Sequence, residues 1–253
     1  MNIDRYLHRI RYEGARTPTI ATLRALHRQH LLTVPFENLD IHLGRPIAID
    51  EDAFVRKVVE ERRGGFCYEL NGAFGALLRA LGYNVANLSA RASSADGSFG
   101  SEFDHLTLLV TIDGERWIAD VGFGDSFLEP LRLDDRFDQN DPAGTFRIEQ
   151  RDVDLVVCRS KTDAWSDEYL FTLGEHPLED FAGMCRYHQT SPQSHFTRKR
   201  ICSMATPDGR ITLSDLRLIT TTRGERVERE LASEDEWRAV LRAEFAISLA
   251  DGR

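Results

Sequence analysis

The chain has 253 residues, 42% of them hydrophobic, and its 41 acidic and 32 basic residues give a formal charge of −9. This length accommodates one large domain, or two to three small ones, with a packed core. The acidic balance argues against general nucleic-acid binding, because an acidic surface repels phosphates.

The first 83 residues have the periodicity of helices. Apolar residues recur at helical spacing over 4–12 and 19–33, and Pro35 ends the second segment. His27 and His30 are interpreted as surface or helix-face residues rather than ligands. Asp50 is expected to cap a helix over residues 51–62.

Cys67 opens the last helix predicted in this region, at the end of the glycine-rich turn in RGGFCYELN, residues 63–71. The helix is predicted over residues 68–81. A thiol in a first turn faces the positive end of the helix dipole, which we expect to lower its pKa. The glycines permit a sharp turn and a close substrate approach. The pattern indicates a nucleophile, although a small buried hydrophobic cysteine is the alternative.

Polar residues around this turn are expected to support it. A buried carboxylate needs a cationic partner, so a pair between Glu37 and Arg63 is expected to brace the turn. Glu69 and Asn71 are interpreted as supporting or helix-surface residues. The Cys67 N–H is a natural oxyanion donor, and a second donor is expected from the backbone around Phe103.

From residue 84 the pattern changes to strands. Candidate strands are residues 85–92, 106–112, 116–121, 145–148, 153–159 and 168–172, which a partly closed antiparallel barrel or a curved sheet would bury.

A hairpin in this region carries two candidate catalytic residues, His105 and Asp120. Asp113-Gly114 marks its tight turn. At roughly 3.3 Å per residue, the start of one strand and the end of its partner meet at one edge. We expect Asp120 to bind one imidazole nitrogen of His105 and the other nitrogen to face Cys67. Taken alone, His105 would also fit a strand histidine that binds a backbone carbonyl, and Asp120 a strand-end residue that caps a turn.

The rest of the chain mixes both patterns. Residues 134–144 form a polar connector, and 176–187 are a candidate helix. Two hairpins are predicted, from 200–204 with 210–213 and from 216–222 with 226–231. Ser233 to Glu236 forms a capping box, and the final helix is expected to run to about Leu249.

Cysteine usage points to a reducing compartment. Cys67, Cys158, Cys185 and Cys202 are widely spaced without a CxxC pair, so neither a metal site nor a disulfide framework is expected. The first residues are polar, and no segment approaches the roughly 18 apolar residues that span a bilayer. We expect a cytoplasmic protein without a membrane or nucleic-acid partner.

Four motifs together resemble the arylamine N-acetyltransferase family. RGGFCYELN at 63–71 is similar to the nucleophile motif of the family, and VPFENL at 34–39 to its N-terminal signature. DHL at 104–106 and ADVGFG at 119–124 are similar to its histidine and aspartate segments. The agreement covers residues 1 to about 130 in order and spacing.

The resemblance implies an α+β fold with a cysteine-protease-like catalytic core. It has an N-terminal helical bundle (1–83), a central antiparallel β-barrel (84–190) and a C-terminal α/β lid (191–253). It also implies a Cys67–His105–Asp120 triad that takes acetyl from acetyl-coenzyme A and passes it to an arylamine, a hydrazine or an N-hydroxyarylamine. Phe36 and Phe123 match acceptor-pocket positions of the family. The motif residue Phe103 is a further candidate for an aromatic wall.

Two other readings stay open. The same triad would serve a cysteine-dependent amide synthase or hydrolase acting on another acyl substrate. A non-enzymatic scaffold that retains the three residues is the second reading.

Overall fold

The N-terminal region is a helical layer built around one buried helix. A computed structural model of the protein describes residues 1–162 and 164–249. The helices of this region are α1 (Ile3–Arg9), α2 (Ile20–Thr33), α3 (Leu39–His42), α4 (Glu51–Val59) and α5 (Cys67–Ala80). Asp50 caps α4 as predicted, its carboxylate accepting a hydrogen bond from the Ala53 N–H. Residues 67–78 of α5 are all buried, so this helix forms the centre of the layer.

Thirteen strands occur in the described residues, and all of their pairings are antiparallel. They are β1 (Phe36–Glu37), β2 (Asn84–Ala92), β3 (His105–Ile112), β4 (Glu115–Ala119), β5 (Leu131–Arg132), β6 (Gln139–Asp141), β7 (Gly144–Arg151), β8 (Asp154–Thr162), β9 (Ala164–Glu175), β10 (Ile201–Thr206), β11 (Gly209–Ser214), β12 (Arg217–Thr222) and β13 (Glu225–Glu230).

The larger sheet curls until its two edges nearly meet. Its order in the described part of the chain is β5-β4-β3-β2-β9-β8-β7-β6, which leaves β5 and β6 as the edges. The Gln139 side chain joins them, because its amide accepts from the Arg132 N–H at 2.8 Å and donates to the Arg132 carbonyl at 3.0 Å. One side chain thus supplies hydrogen bonds between β5 and β6, where backbone pairing is absent from the sheet order of the described residues. The predicted near-barrel is confirmed.

A second sheet includes a strand from the N-terminal region. Its order within the described residues is β1-β10-β11-β12-β13, with Phe36 opposite Ser203 and Glu37 opposite Cys202. Helix α8 (Glu234–Phe245) packs on this sheet through Trp237, Leu241 and Phe245. The predicted hairpins around residues 207–209 and 223–225 are both present.

Helices α6 (Ala182–Thr190) and α7 (His195–Arg198) connect the two sheets. The predicted α+β class is confirmed, while the division of the chain at residues 83 and 190 stays a prediction. No helix in the described ranges is long and apolar enough to cross a membrane.

Several element predictions differ from the structure. The candidate helix over 176–187 is instead a 3-10 turn, Leu178–Phe181, followed by α6, because Pro177 keeps the residue before it extended. The connector at 134–144 contains the short strand β6. The helix predicted to reach residue 62 ends at Val59.

The last helix ends at Phe245 rather than at Leu249. Ala246 has a left-handed backbone, with φ of 55°, and Ile247 turns back into the core. A left-handed residue without a glycine's freedom costs roughly 1 kcal/mol. The sequence carries no glycine to mark this helix end.

We therefore predict that Ala246→Gly raises the free energy of unfolding by about 1 kcal/mol, measured by urea denaturation. Ala243→Gly is the matched control, because Ala243 is an exposed residue within α8. That change should lower the stability by about 1 kcal/mol. Shifts of the same sign in both variants would contradict this account of the helix end.

Candidate active site

The turn before Cys67 is packed against the segment that contains β1. A Cβ on Gly64 would lie 1.9 Å from the Pro35 carbonyl oxygen, so only glycine fits there. The Glu37 N–H donates to the Gly65 carbonyl at 2.8 Å. The glycine pair thus lets the two backbones touch, and this contact fixes where α5 begins.

Five charged side chains are buried beside this turn and form a charge cluster: Glu37, Asp40, Lys57, Arg63 and Glu69. The Arg63 guanidinium contacts the carboxylates of Glu37 at 2.7 Å and Asp40 at 3.1 Å. The Lys57 ammonium lies 2.6 Å from Glu69 and 2.7 Å from Asp40. The predicted pair between Glu37 and Arg63 is confirmed, within a larger network that the sequence did not indicate.

Glu69 connects the charge cluster to the start of α5. One of its oxygens accepts from the Phe66 N–H at 3.1 Å, while the other binds Lys57. Burial, reinforced by the charge of Glu37 and only partly offset by Lys57, raises the pKa of Glu69 to about 7. The residue is therefore a helix cap rather than a surface residue.

His105 and Asp120 meet as the hairpin geometry predicts. His105 begins β3, and Asp120 directly follows β4. The imidazole Nε2 lies 2.6 Å from a carboxylate oxygen of Asp120, and both side chains are buried. Burial alone would raise the pKa of Asp120, but His105 and hydrogen bonds from Asn71 and the Gly122 N–H hold it below its usual range. Asp120 is thus an ionised group that can orient an imidazole.

Asn71 joins the three segments that carry the candidate triad. It lies one helical turn after Cys67, on the same face of α5. Its amide nitrogen donates to Asp120 at 2.8 Å and to the Leu106 carbonyl at 2.6 Å, and its oxygen accepts from the Val121 N–H at 2.9 Å. From the sequence, Asn71 is expected only in a supporting or surface position. The signal for a larger role is a polar residue four positions after the candidate nucleophile, on the same helix face.

His27 supports the same site from α2. It is fully buried, not on the surface, and its Nε2 accepts from the Asp120 N–H at 3.0 Å. Its Nδ1 consequently carries the proton and donates to the Leu128 carbonyl at 2.8 Å. Burial lowers the pKa of His27, so it is a neutral positioning group. His30 is also buried, where it contacts the Tyr6 hydroxyl.

Cys67 lies against the strand that carries His105. A Cβ on Gly122 would come within 2.8 Å of its Cα. Only 3% of the residue is exposed. Burial raises the pKa of the Cys67 thiol well above its ordinary value, while the backbone of Leu106 acts to lower it. The expectation that the helix start would lower this pKa is therefore wrong. A thiolate here needs a cation nearby, and His105 begins the strand against which α5 packs.

A cavity of about 390 Å³ lies beside the candidate triad, and we call it the catalytic cavity. Cys67, His105 and Asp120 do not line it; Phe123, which lines it, contacts His105 and so connects the cavity to them. Phe36, Phe123 and Phe196 line it, and the Phe123 ring lies edge-to-face on His105 with centroids 5.2 Å apart. Phe196 comes from α7, far along the sequence, and was not predicted.

Phe103 does not line this cavity. Its ring packs edge-to-face on His176 and Phe181, with centroids 4.9 and 5.1 Å away. Its N–H donates to the Ser89 hydroxyl at 2.8 Å, so it is already engaged and does not point to an oxyanion. Phe103 holds the loop before His105 in place instead, since its carbonyl accepts from the Tyr68 hydroxyl at 2.8 Å.

No group of three or more histidine, cysteine, aspartate or glutamate side chains in residues 1–162 and 164–249 is placed to hold a metal ion. Nucleophile, base, carboxylate and apolar cavity together suit acyl transfer through a thioester.

Known proteins resemble this chain in sequence and in fold. A family model described as N-acetyltransferase matches residues 19–253. The chain is similar to the arylamine N-acetyltransferase of Escherichia coli (strain K12), with 36% identity over 99% of this chain and 90% of that protein. It is also 36% identical to the arylamine N-acetyltransferase / N-hydroxyarylamine O-acetyltransferase of Salmonella typhimurium, over 88% of this chain and 80% of that one. The solved structure of Mycobacterium marinum arylamine N-acetyltransferase in complex with CoA matches with a TM-score of 0.91 at 32% identity, covering 97% of this chain and 93% of that chain.

The charge cluster predicts a large cost for losing one cation. Arg63→Gln leaves the Glu37 carboxylate buried beside a neutral amide, and we expect a loss of about 3–5 kcal/mol in the free energy of unfolding. Arg62→Gln is the matched control, because the neighbouring Arg62 is exposed and should change stability by no more than about 0.5 kcal/mol. Urea denaturation measures both. Equal stabilities of the two variants would show that the cluster does not hold the turn.

Proposed function

This chain belongs to the arylamine N-acetyltransferase family and is an acyltransferase that moves acetyl from acetyl-coenzyme A to arylamines; we propose that it does so through a thioester on Cys67. The acceptors are arylamines, hydrazines and N-hydroxyarylamines. The observation that carries the proposal is the 2.6 Å contact between His105 and Asp120 on the strand ends that pack against Cys67.

The first half-reaction transfers acetyl from acetyl-coenzyme A to Cys67. Asp120 occupies Nε2 of His105, so Nδ1 is the nitrogen left to accept the Cys67 proton. The thiolate attacks the acetyl carbonyl carbon, and the C–S bond to coenzyme A breaks. The imidazolium returns its proton to the departing thiolate of coenzyme A, which leaves as a neutral thiol. The backbone N–H of Cys67 at the start of α5 is our choice of donor for the oxyanion.

The second half-reaction transfers the acetyl group from Cys67 to the amine. An aromatic amine is weakly basic and reaches the site with its lone pair free. It attacks the thioester while His105 takes its proton, and the proton returns to the Cys67 sulfur as the amide forms. The rings of Phe36, Phe123 and Phe196 give the catalytic cavity an apolar wall that disfavours water, which would otherwise hydrolyse the thioester.

The state of the cysteines indicates the cellular compartment of the enzyme. All four cysteines are free thiols. Such thiols persist in a reducing compartment, so we place the enzyme in the cytoplasm. Its acceptors there would include foreign aromatic amines, which gives it a role in xenobiotic metabolism.

The thioester can be tested directly. Incubation with acetyl-coenzyme A should add the mass of one acetyl group, located on the Cys67 peptide, and an aromatic amine should then remove it. Cys67→Ser should stay unlabelled and transfer nothing, whereas Cys158→Ser should label normally. No labelling of the unmodified enzyme, combined with cleavage of peptide or amide substrates, would favour the hydrolase reading.

The role of Asp120 predicts a loss of rate rather than of binding. Asp120→Asn removes the charge that orients His105, so kcat should fall by about 10²–10⁴-fold while KM changes little. Asp113→Asn at the turn of the same hairpin is the control, because it is exposed and lies at the opposite end of the strands. Steady-state kinetics measure both variants. A near-normal kcat for Asp120→Asn would remove this carboxylate from the mechanism.

A further inference from the structure

The second sheet ends in an open edge at β13. In the described residues, β13 pairs with β12 on one side and with no strand on the other. All six of its residues are exposed. The unpaired N–H and C=O groups of an exposed edge are a template on which another strand can pair.

The backbone polar groups of alternate residues in β13 point away from the sheet. The Leu231 N–H, directly after the strand, donates to the Leu216 carbonyl at 2.7 Å, so the backbone of Leu231 faces β12. This direction alternates along an antiparallel strand, and the β12–β13 register is continuous. Arg226, Glu228 and Glu230 therefore direct their N–H and C=O groups outward.

Two copies of β13 can pair in an antiparallel way only about a two-fold axis that passes through a residue. In such a pair, a residue whose polar groups point outward always faces another residue of the same kind. An axis between two residues would instead place an outward residue opposite an inward one. The residue on the axis therefore faces its own copy.

Val227 is the one residue of β13 that can occupy this axis without repulsion. The strand reads ERVERE, so each of the other residues would put two like charges directly opposite each other. Val227 is 66% exposed in the single chain, and on the axis it would be covered by the valine of the other copy.

The remaining charges complement each other about the same axis. Arg226 lies opposite Glu228 of the second copy, and these two residues exchange their outward N–H and C=O groups. Glu225 lies opposite Arg229 of the second copy. The Glu225 carboxylate makes no ion pair within the described residues, so the second copy supplies its partner.

We propose that β13 is an interaction surface for a second copy of this chain, which adds its own β13 as an antiparallel strand with Val227 on the two-fold axis. A second copy is the occupant because the strand complements its own charges at the one centre that its backbone and charges allow. Charges that only protected the edge from pairing would repel each other in this register. One strand from each copy makes a narrow contact, so the dimer belongs to the weak class, below about 1,200 Å² of buried surface, with a Kd of about 10–100 µM.

The test measures self-association of the whole chain by sedimentation velocity between about 1 µM and 1 mM, where the unmodified chain should pass from monomer to dimer. Arg226→Glu and Glu228→Arg each place like charges opposite one another on both sides of the axis, and each should raise the Kd about tenfold. Their equimolar mixture should regain the Kd of the unmodified chain. One variant then presents only acidic side chains at these two positions, and the other only basic ones.

Arg5→Glu is the matched control for Arg226→Glu. Arg5 on α1 is exposed to a similar degree as Arg226, and each of them pairs with a surface glutamate. The substitution makes the same change of net charge at a distant place in the sequence, so it should leave the Kd unchanged.

A chain that stays monomeric up to about 1 mM would overturn the inference. So would a dimer that both single variants keep, because the contact would then lie elsewhere. Weakened dimers that mixing does not restore would exclude the register about Val227. Loss of the dimer in Arg5→Glu would show that net charge, rather than this strand, governs association.

Discussion

The side-chain amide of Asn71 holds together the three pieces of chain that carry the candidate triad. Its two donors and one acceptor are all used, by Asp120, by the Leu106 carbonyl and by the Val121 N–H. These partners belong to the end of one strand, the start of another and the turn beyond, while Asn71 itself belongs to the nucleophile helix. A buried polar group is tolerated only when it is satisfied, so the amide fixes these segments in one arrangement.

Two different arrangements of buried charge are found near Cys67: the charge cluster and the pair of Asp120 and His105. In the first, the charge cluster keeps three carboxylates and two cations out of water to fix a turn of only a few residues. In the second, a single carboxylate faces a single imidazole. The Cys67 sulfur is buried, which disfavours its ionised form. In the proposed mechanism it ionises only as His105 takes its proton, so the reactive state is a pair of charges formed together rather than a standing thiolate.

The sequence was informative where the signal is local. The Asp113-Gly114 turn between His105 and Asp120 sets a geometry within a few residues and was predicted correctly. The glycine pair before Cys67 was expected to allow a sharp turn and a substrate approach, whereas in the structure Gly64 makes room for the Pro35 backbone. Asn71 was expected in a supporting or surface position, but its partners were not foreseen, and His27 and Phe196 were missed, because these roles depend on partners that are distant along the chain. The pKa of Cys67 was misjudged because burial, which no short motif encodes, outweighed the helix start. Phe103 lies only two residues before His105, yet its left-handed backbone belongs to a loop that packs away from the cavity.

The two-residue strand β1 has a consequence for how the protein is made. It pairs with β10, and the Asn38 side chain beside it donates to the carbonyls of Phe196 and Lys199. These contacts join positions about 160 residues apart, so they form only after most of the polypeptide has left the ribosome. Until then the nucleophile turn lacks one of its neighbouring strands, and the aromatic wall is incomplete. Such late, non-local pairing slows folding and lengthens the interval during which chaperones can engage the nascent chain.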